Sequence, residues 1–148
     1  MKKMRMMIVD DEERFLSTMK KLLAKKGYDV VTALSGAEAL EIMSVQNIHV
    51  VILDVKMPGM DGNETLREIK KRFPLTEVIM LTGHATMESA VEGLKSGAMD
   101  YLMKPADLDE IIRKAEDAFA KIQSLEEKIR AARMRKIVKS PSEIIQDS

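Results

Sequence analysis

Five polar side chains sit where apolar runs stop. Asp10 and Asp11 follow Met6–Val9, Asp54 follows Val50–Leu53, Thr82 follows Val78–Leu81 and Lys104 follows Tyr101–Met103. Brought to one place, three carboxylates would repel one another, and some carboxyl pKa would rise unless a cation compensated. Hard oxygen ligands with room for water and phosphate oxygens suit Mg2+, which typically takes one or two carboxylates. A lysine adds a point charge and a threonine adds a hydroxyl donor, and together these neutralise a phosphoryl group in transit. Neither G-x-x-x-x-G-K-S/T nor G-x-G-x-x-G occurs in the chain, so the phosphoryl donor is not expected to be a bound nucleotide. A carboxylate can itself be the nucleophile, as in aspartyl-phosphate chemistry, and Asp54 is the candidate. The stretch VVILDVKMPGMDG, taken alone, is also explained by the preference of Asp for strand ends and turns.

The elements that would carry these side chains follow from the apolar periods. Short runs at Met6–Val9, Val30–Thr32, Val50–Leu53, Val78–Leu81 and Tyr101–Met103 read as strands. Helical spacing joins Phe15, Met19, Leu22 and Leu23. It recurs in Ala37, Leu40 and Met43, in Leu66, Ile69 and Phe73, and in Ala90, Val91 and Leu94. Breakers punctuate the joints at Gly27, Gly36, Pro58–Gly59, Gly62, Pro74, Gly83, Gly97 and Pro105. Ser35 with Glu38 three residues on reads as a capping box. Five strand-then-helix repeats predict an α/β fold with a parallel sheet and right-handed crossovers. Five units are too few for a closed eight-stranded barrel. An open, doubly wound sheet in the order 2-1-3-4-5 is expected, which makes strands 1 and 3 neighbours and places the switch-point crevice beyond their C-terminal ends. In that order all five polar residues reach one edge of the sheet.

Composition narrows the class. The chain has 148 residues, 45% hydrophobic and 32% charged, with a formal net charge of zero. That length can bury a core without disulfides or metal staples, and the zero net charge recommends neither nucleic acid nor an acidic substrate. Cysteine is absent, which excludes a disulfide framework, thiolate metal sites and thiol catalysis. The basic-then-apolar start MKKMRMMIVDDEE is too short for a signal-peptide core or a membrane span. A cytoplasmic protein is the expectation. The 13 methionines read as core filler, since no cysteine or clustered histidine suggests a copper site.

From Leu108 the pattern changes. Leu108, Ala115, Ile122 and Ile129 repeat every seven residues, as do Ile111, Ala118, Leu125 and Ala132. This a/d pattern predicts a last helix that overshoots the domain as a coiled-coil seam, with a single amphipathic helix folded back on its domain as the alternative. Residues 125–140 hold six basic and two acidic side chains. With no aromatic residue interleaved they read as a solvated face rather than a nucleic-acid patch. The expected division is 1–121 for the globular domain, 122–140 for a helical extension and 141–148 for a flexible tail.

Four segments now carry a resemblance: VDDEE after strand 1, LDVKMPGMDG after strand 3, TGHA after strand 4 and DYLMKP at strand 5. Together they resemble the receiver domain of two-component response regulators over about residues 4 to 121. The stretch TGHATMESAVEGLKSGAMDYLMKP is most similar to receivers that precede an ATPase domain and a DNA-binding helix in sigma-54-type bacterial transcriptional activators. The resemblance implies a flavodoxin-like (βα)5 three-layer sandwich. It also implies that Asp54 is the phosphoacceptor for a sensor histidine kinase. Asp11 and Asp54 would ligate Mg2+ directly, Asp10 through water and Lys56 through its backbone carbonyl. Lys104 would pair with the phosphoryl oxygens, and Thr82 and Tyr101 match the family's switch pair. Lys104–Pro105 resembles the family's cis bond, whereas sequence alone favours trans for an X-Pro peptide.

A change in the face built from helix 4, strand 5 and helix 5 would then control dimerisation or partner binding, through that face and the C-terminal helix. No output signature follows residue 108, so the chain is expected either to stand alone or to precede an output domain, without direct nucleic-acid or membrane contact. Such a protein is a phosphoacceptor regulator rather than an enzyme. The rivals are an Asp-nucleophile phosphatase or phosphotransferase and a phosphorylation-independent interaction module. The first resembles an Asp-x-Asp pattern and usually needs a cap, whereas here the acids are adjacent. His84 and the Lys56 side chain lie near the crevice without an assigned duty, and His49 reads as structural.

Overall fold

The computed structural model describes residues 3–55, 61–83 and 86–137. Five strands alternate with five helices: β1 Arg5–Val9, α1 Glu13–Lys25, β2 Asp29–Ala33, α2 Gly36–Val45, β3 Val50–Leu53, α3 Gly62–Arg72, β4 Glu77–Thr82, α4 Met87–Lys95, β5 Asp100–Met103 and α5 Leu108–Ile137. All strand pairs are parallel, in the order β2-β1-β3-β4-β5. The register sets Val9 beside Leu53 and Leu53 beside Met80, so the ends of the central strands are level and the residues after them share one edge.

Period-two alternation on each strand feeds two cores. Met6, Ile8, Val50, Ile52, Ile79 and Leu81 face α1 and α5, where Leu16, Met19, Leu23, Ile111, Ala115 and Ala118 close the layer. Met7, Val9, Val51, Leu53, Val78 and Met80 face the other way, onto Leu40 and Met43 of α2 and Leu66 and Ile69 of α3. Strands covered on both faces need no polar alternation, hence their continuous apolar runs. Each such side chain contributes about 1.5–3 kcal/mol of burial.

Several apolar residues expected on buried helix faces lie elsewhere. Leu22 is exposed and Leu16 takes its place in the core. Ala37 is exposed and Ala39 is buried. On α4, Val91 and Leu94 are 45% and 48% exposed and Met87 84%, while the buried residue is Gly93. The Ser35 side chain accepts from the Glu38 N–H, as a cap should. The returning bond from Glu38, however, goes to the Leu34 N–H rather than to Ser35.

Helix α5 resolves the heptad pattern into two parts. Ile111, Ala115, Ala118 and Ile122 are buried in the domain's own core, so the first half of the repeat is explained by packing on the sheet. Ile122 therefore belongs with the globular core, one residue past the expected division. From residue 123 to 136 no residue is buried, with Leu125 44% exposed. The tail at 141–148 lies outside the described residues. No described helix is long and apolar enough to cross a membrane.

Asp100 at the start of β5 binds Lys114 of α5 at 2.6 Å and accepts the Tyr101 N–H. Burial alone would raise its pKa. The Lys114 hydrogen bond, the Tyr101 N–H and the Lys114 charge outweigh it, leaving the carboxyl below the usual carboxylate range. A carboxyl whose folded pKa is depressed stabilises the fold above its unfolded pKa, and that stability is lost as pH falls through the folded value. Asp100→Asn is thus expected to cost about 0.5–1 kcal/mol near neutrality. The gap from wild type should close in acid, below the folded pKa; urea titrations at the two pH values check this.

Candidate functional site

The backbone sets the acidic residues before their side chains act. Asp10 N–H donates to Ala33 carbonyl oxygen at 3.1 Å and Asp54 N–H to Val9 carbonyl oxygen at 3.0 Å, extending the β1–β2 and β1–β3 ladders by one residue each. The carboxylates of Asp10, Asp11 and Asp54 each offer an oxygen, all within 4.8 Å of one another. Asp10 is 1% exposed and Asp54 6%, whereas Asp11 faces solvent. Two buried carboxylates and one at the rim leave an open side for a hard cation with water ligands, and the donor set fits Mg2+.

Lys104 supplies the opposing charge. Its N–H donates to the Thr82 carbonyl oxygen at 2.9 Å, which ties the tips of β4 and β5. The Lys104–Pro105 peptide is cis, as the resemblance implies and against the general X-Pro preference. The ammonium donates to Asp10 Oδ2 at 2.5 Å, lies 3.5 Å from Glu12 Oε1 and stands 4.1 Å above the Phe15 ring centroid. Burial works to lower its pKa. The Asp10 hydrogen bond and the charges of Asp10, Asp54 and Glu12 prevail and hold it above the usual lysine value. Asp10 in turn accepts the Glu12 N–H at 2.9 Å on its other oxygen.

Thr82 is fully buried at the end of β4. Tyr101, on the neighbouring strand, is half-buried, with its hydroxyl 3.2 Å from Ser89 Oγ on α4. Gly62 opens α3 beneath the site. Its N–H donates to the Val55 carbonyl oxygen at 2.7 Å, and Asp61 caps the helix by accepting the Glu64 N–H at 2.8 Å. A Cβ on Gly62 would stand 2.3 Å from the Asp54 carbonyl oxygen.

The structure thus gathers Asp10, Asp11, Asp54, Thr82 and Lys104 at one sheet edge. Tyr101 stands further from the tip, beside Met80 and two residues before the level of Thr82. The Lys56 carbonyl and His84 lie outside the described residues. Sequence reasoning missed Glu12, Phe15 and Ser89. Phe15 shares a helical spacing with Met19, Leu22 and Leu23, and nothing in that spacing marks it as a platform for a lysine 89 positions away. Ser89 carried a signal, since Thr86 and Ser89 stand at capping-box spacing before an apolar segment.

The pattern described as the response regulator receiver domain matches residues 6–116. The transcriptional regulatory protein ZraR of Escherichia coli is 38% identical over 139 residues, which are 92% of this chain and 32% of that protein. The DNA-binding transcriptional regulator NtrC of the same organism is 38% identical over 78% of this chain and 25% of its own. The chain therefore spans about a quarter to a third of the length of these relatives. Among solved structures, a response regulator receiver domain protein from Clostridium thermocellum superposes with a TM-score of 0.78 at 38% identity, covering 82% of this chain and 98% of that one. The receiver domain of NtrX from Brucella abortus gives 0.73 at 33% identity, covering 78% and 98%.

Proposed function

The chain belongs to the response regulator receiver family of two-component signalling, and on that footing we propose that Asp54 is its phosphoacceptor. The observation that carries this reading is the trio of carboxylates within 4.8 Å of one another, with Lys104 bound to one of them. An Asp54 carboxylate oxygen attacks the phosphorus of a phosphohistidine on a sensor histidine kinase. A P–O bond forms as the P–N bond breaks, and the imidazole leaves with the electron pair. Asp10, Asp11 and Asp54 would hold Mg2+, together with the Lys56 carbonyl. When bound, the ion supplies positive charge beside the phosphoryl oxygens.

Lys104 turns from Asp10 toward the new phosphoryl oxygens, and the Thr82 hydroxyl donates to them. Tyr101 then moves inward behind Thr82, a two-state element biased by a local change of charge. The domain promotes its own phosphorylation and dephosphorylation and acts on no other substrate. The readout is a changed α4–β5–α5 face, on which Met87, Val91, Leu94 and Met103 are already exposed. That face and the extension at 122–140, followed by the tail at 141–148, support a homodimer. We place the chain in the cytoplasm, without direct nucleic-acid contact. DNA binding, named for the longer NtrC relatives, would belong to a following output domain.

The test is incubation with Mg2+ and acetyl phosphate, followed by intact-mass measurement and sizing in solution. One stable phosphoryl group per chain, absent from Asp54→Asn, and a larger assembly on labelling are the expected results. Rapid release of phosphate would instead mark a phosphatase, and no labelling an interaction module.

A further inference from the structure

We propose that Ser89 is a positioning residue that latches α4 to Tyr101, so that one hydroxyl serves both the helix cap and the tyrosine. This rests on the reading of Tyr101 as the aromatic that turns inward. A serine hydroxyl has one proton and two lone pairs. Ser89 Oγ donates to the Thr86 carbonyl oxygen at 3.0 Å and accepts the Thr86 N–H at 3.0 Å. Thr86 Oγ1 accepts the Ser89 N–H at 3.1 Å, which closes the capping box. One lone pair on Ser89 remains, and two hydroxyls approach it at 3.2 Å, Thr86 Oγ1 and Tyr101 Oη. Thr86 is exposed and its hydroxyl proton can turn to water, which leaves this lone pair to the Tyr101 proton.

The seat of the helix makes the same point. Ser89 and Gly93 are four residues apart and so lie one above the other on a single face. A Cβ on Gly93 would stand 3.7 Å from two Tyr101 ring carbons and 3.6 Å from Met80 Cγ. The large apolar residues Met87, Val91 and Leu94 point away from the domain. Helix α4 thus rests on the tyrosine through a hydroxyl in its first turn and a bare backbone one turn on. When the ring swings inward, the Ser89 lone pair loses its donor and Gly93 loses its cover in one movement. The cap remains, since Thr86 and Ser89 still bond each other, so α4 is released as an intact helix rather than melted.

Amide hydrogen exchange across residues 86–93, on the unphosphorylated chain, tests this in wild type, Tyr101→Phe, Ser89→Ala and the double variant. Thr86→Ala with and without Tyr101→Phe separates the cap from the latch. Tyr101→Phe keeps the ring and the cap, and is expected to raise α4 exchange roughly three- to tenfold, the span of one hydrogen bond. It should add nothing in the Ser89→Ala background, yet keep its full effect in the Thr86→Ala background. Ser89→Thr, which retains the hydroxyl, should return exchange to near wild type. An unchanged rate in Tyr101→Phe, or effects that multiply in the double variant, would overturn the latch. Acetyl-phosphate labelling of Asp54 in the same samples is independent of that comparison, so failure to label would defeat the phosphoacceptor reading and leave the latch decided on exchange alone.

Discussion

Lys104→Met is expected to lower the stability of the metal-free chain by about 3 kcal/mol, and added Mg2+ to return much of that loss. The substitution keeps an unbranched side chain of similar length and removes the charge, and with it the ammonium above the Phe15 ring. What it leaves behind is Asp10, 1% exposed, whose Oδ2 had taken the ammonium at 2.5 Å, with two further carboxylates within 4.8 Å. Deleting one partner of a buried ion pair typically costs about 3–5 kcal/mol, because the stranded charge is the expensive part. The lower end applies here, since Lys104 is itself 18% exposed and Asp11 opens the cluster to water. A cation bound only by the folded state stabilises it by mass action. In the variant it no longer competes with an ammonium for Asp10. Urea unfolding with chelator and with Mg2+ measures both terms. A loss below about 1 kcal/mol, or one indifferent to Mg2+, would mean that Lys104 does not neutralise the cluster.

Gly62→Ala should be nearly as severe, by a steric route. The added methyl would lie 2.3 Å from the Asp54 carbonyl oxygen, 2.5 Å from Val55 Cα and 2.9 Å from the Val55 carbonyl oxygen. All three are backbone atoms, so no side chain can rotate out of the way. Either the Asp54–Val55 segment or the start of α3 must move. Moving α3 breaks the 2.7 Å bond from Gly62 N–H to Val55. Overpacking of this kind costs about 1–3 kcal/mol and occasionally more, and backbone contacts argue for the upper end. The same displacement shifts the residue on which labelling depends. Slower phosphoryl incorporation from acetyl phosphate should therefore accompany a lower urea midpoint. A variant with the wild-type midpoint and labelling rate would show that the loop after β3 yields freely.

The contrast at Gly36 is instructive, because a Cβ there would meet Thr65 Oγ1 at 2.0 Å. That hydroxyl donates to the Asp61 carbonyl oxygen at 2.8 Å, so α2 and the cap of α3 are spaced by a glycine as well. Neither approach is visible in a hydrophobicity pattern. The strands were legible because each core strand repeats apolar residues without interruption, and their polar ends followed at once. The strand order was legible from connection rules, and with it the gathering of Asp10, Asp11, Asp54, Thr82 and Lys104. Helix α4 was not. Its apolar residues Val91 and Leu94 keep helical spacing, but periodicity shows only that a face exists and says nothing about what covers it. The residue that seats the helix is Gly93, which has no side chain to register. For α5, the heptads could not separate burial against the sheet from burial against a second chain. The partner chosen by Lys104 was equally hidden, because only coordinates distinguish Asp10 and Glu12 from Asp54 at so crowded an edge.

Helix α5 passes from its buried seat at Ile111–Ile122 to the exposed stretch beyond without a break. Its 30 residues span roughly 45 Å at 1.5 Å per residue, and about half of that length has left the sheet. A continuous helix cannot turn at one end alone, so the azimuth of Leu125 and Ile129 is dictated by how Ala115 and Ala118 sit on the strands. Each residue adds about 100° of rotation. The angular phase of the helix where it ends, at residue 137, is therefore fixed at the sheet. A small roll of α5 on its seat reappears undiminished at the far end, as rotation of a shaft does.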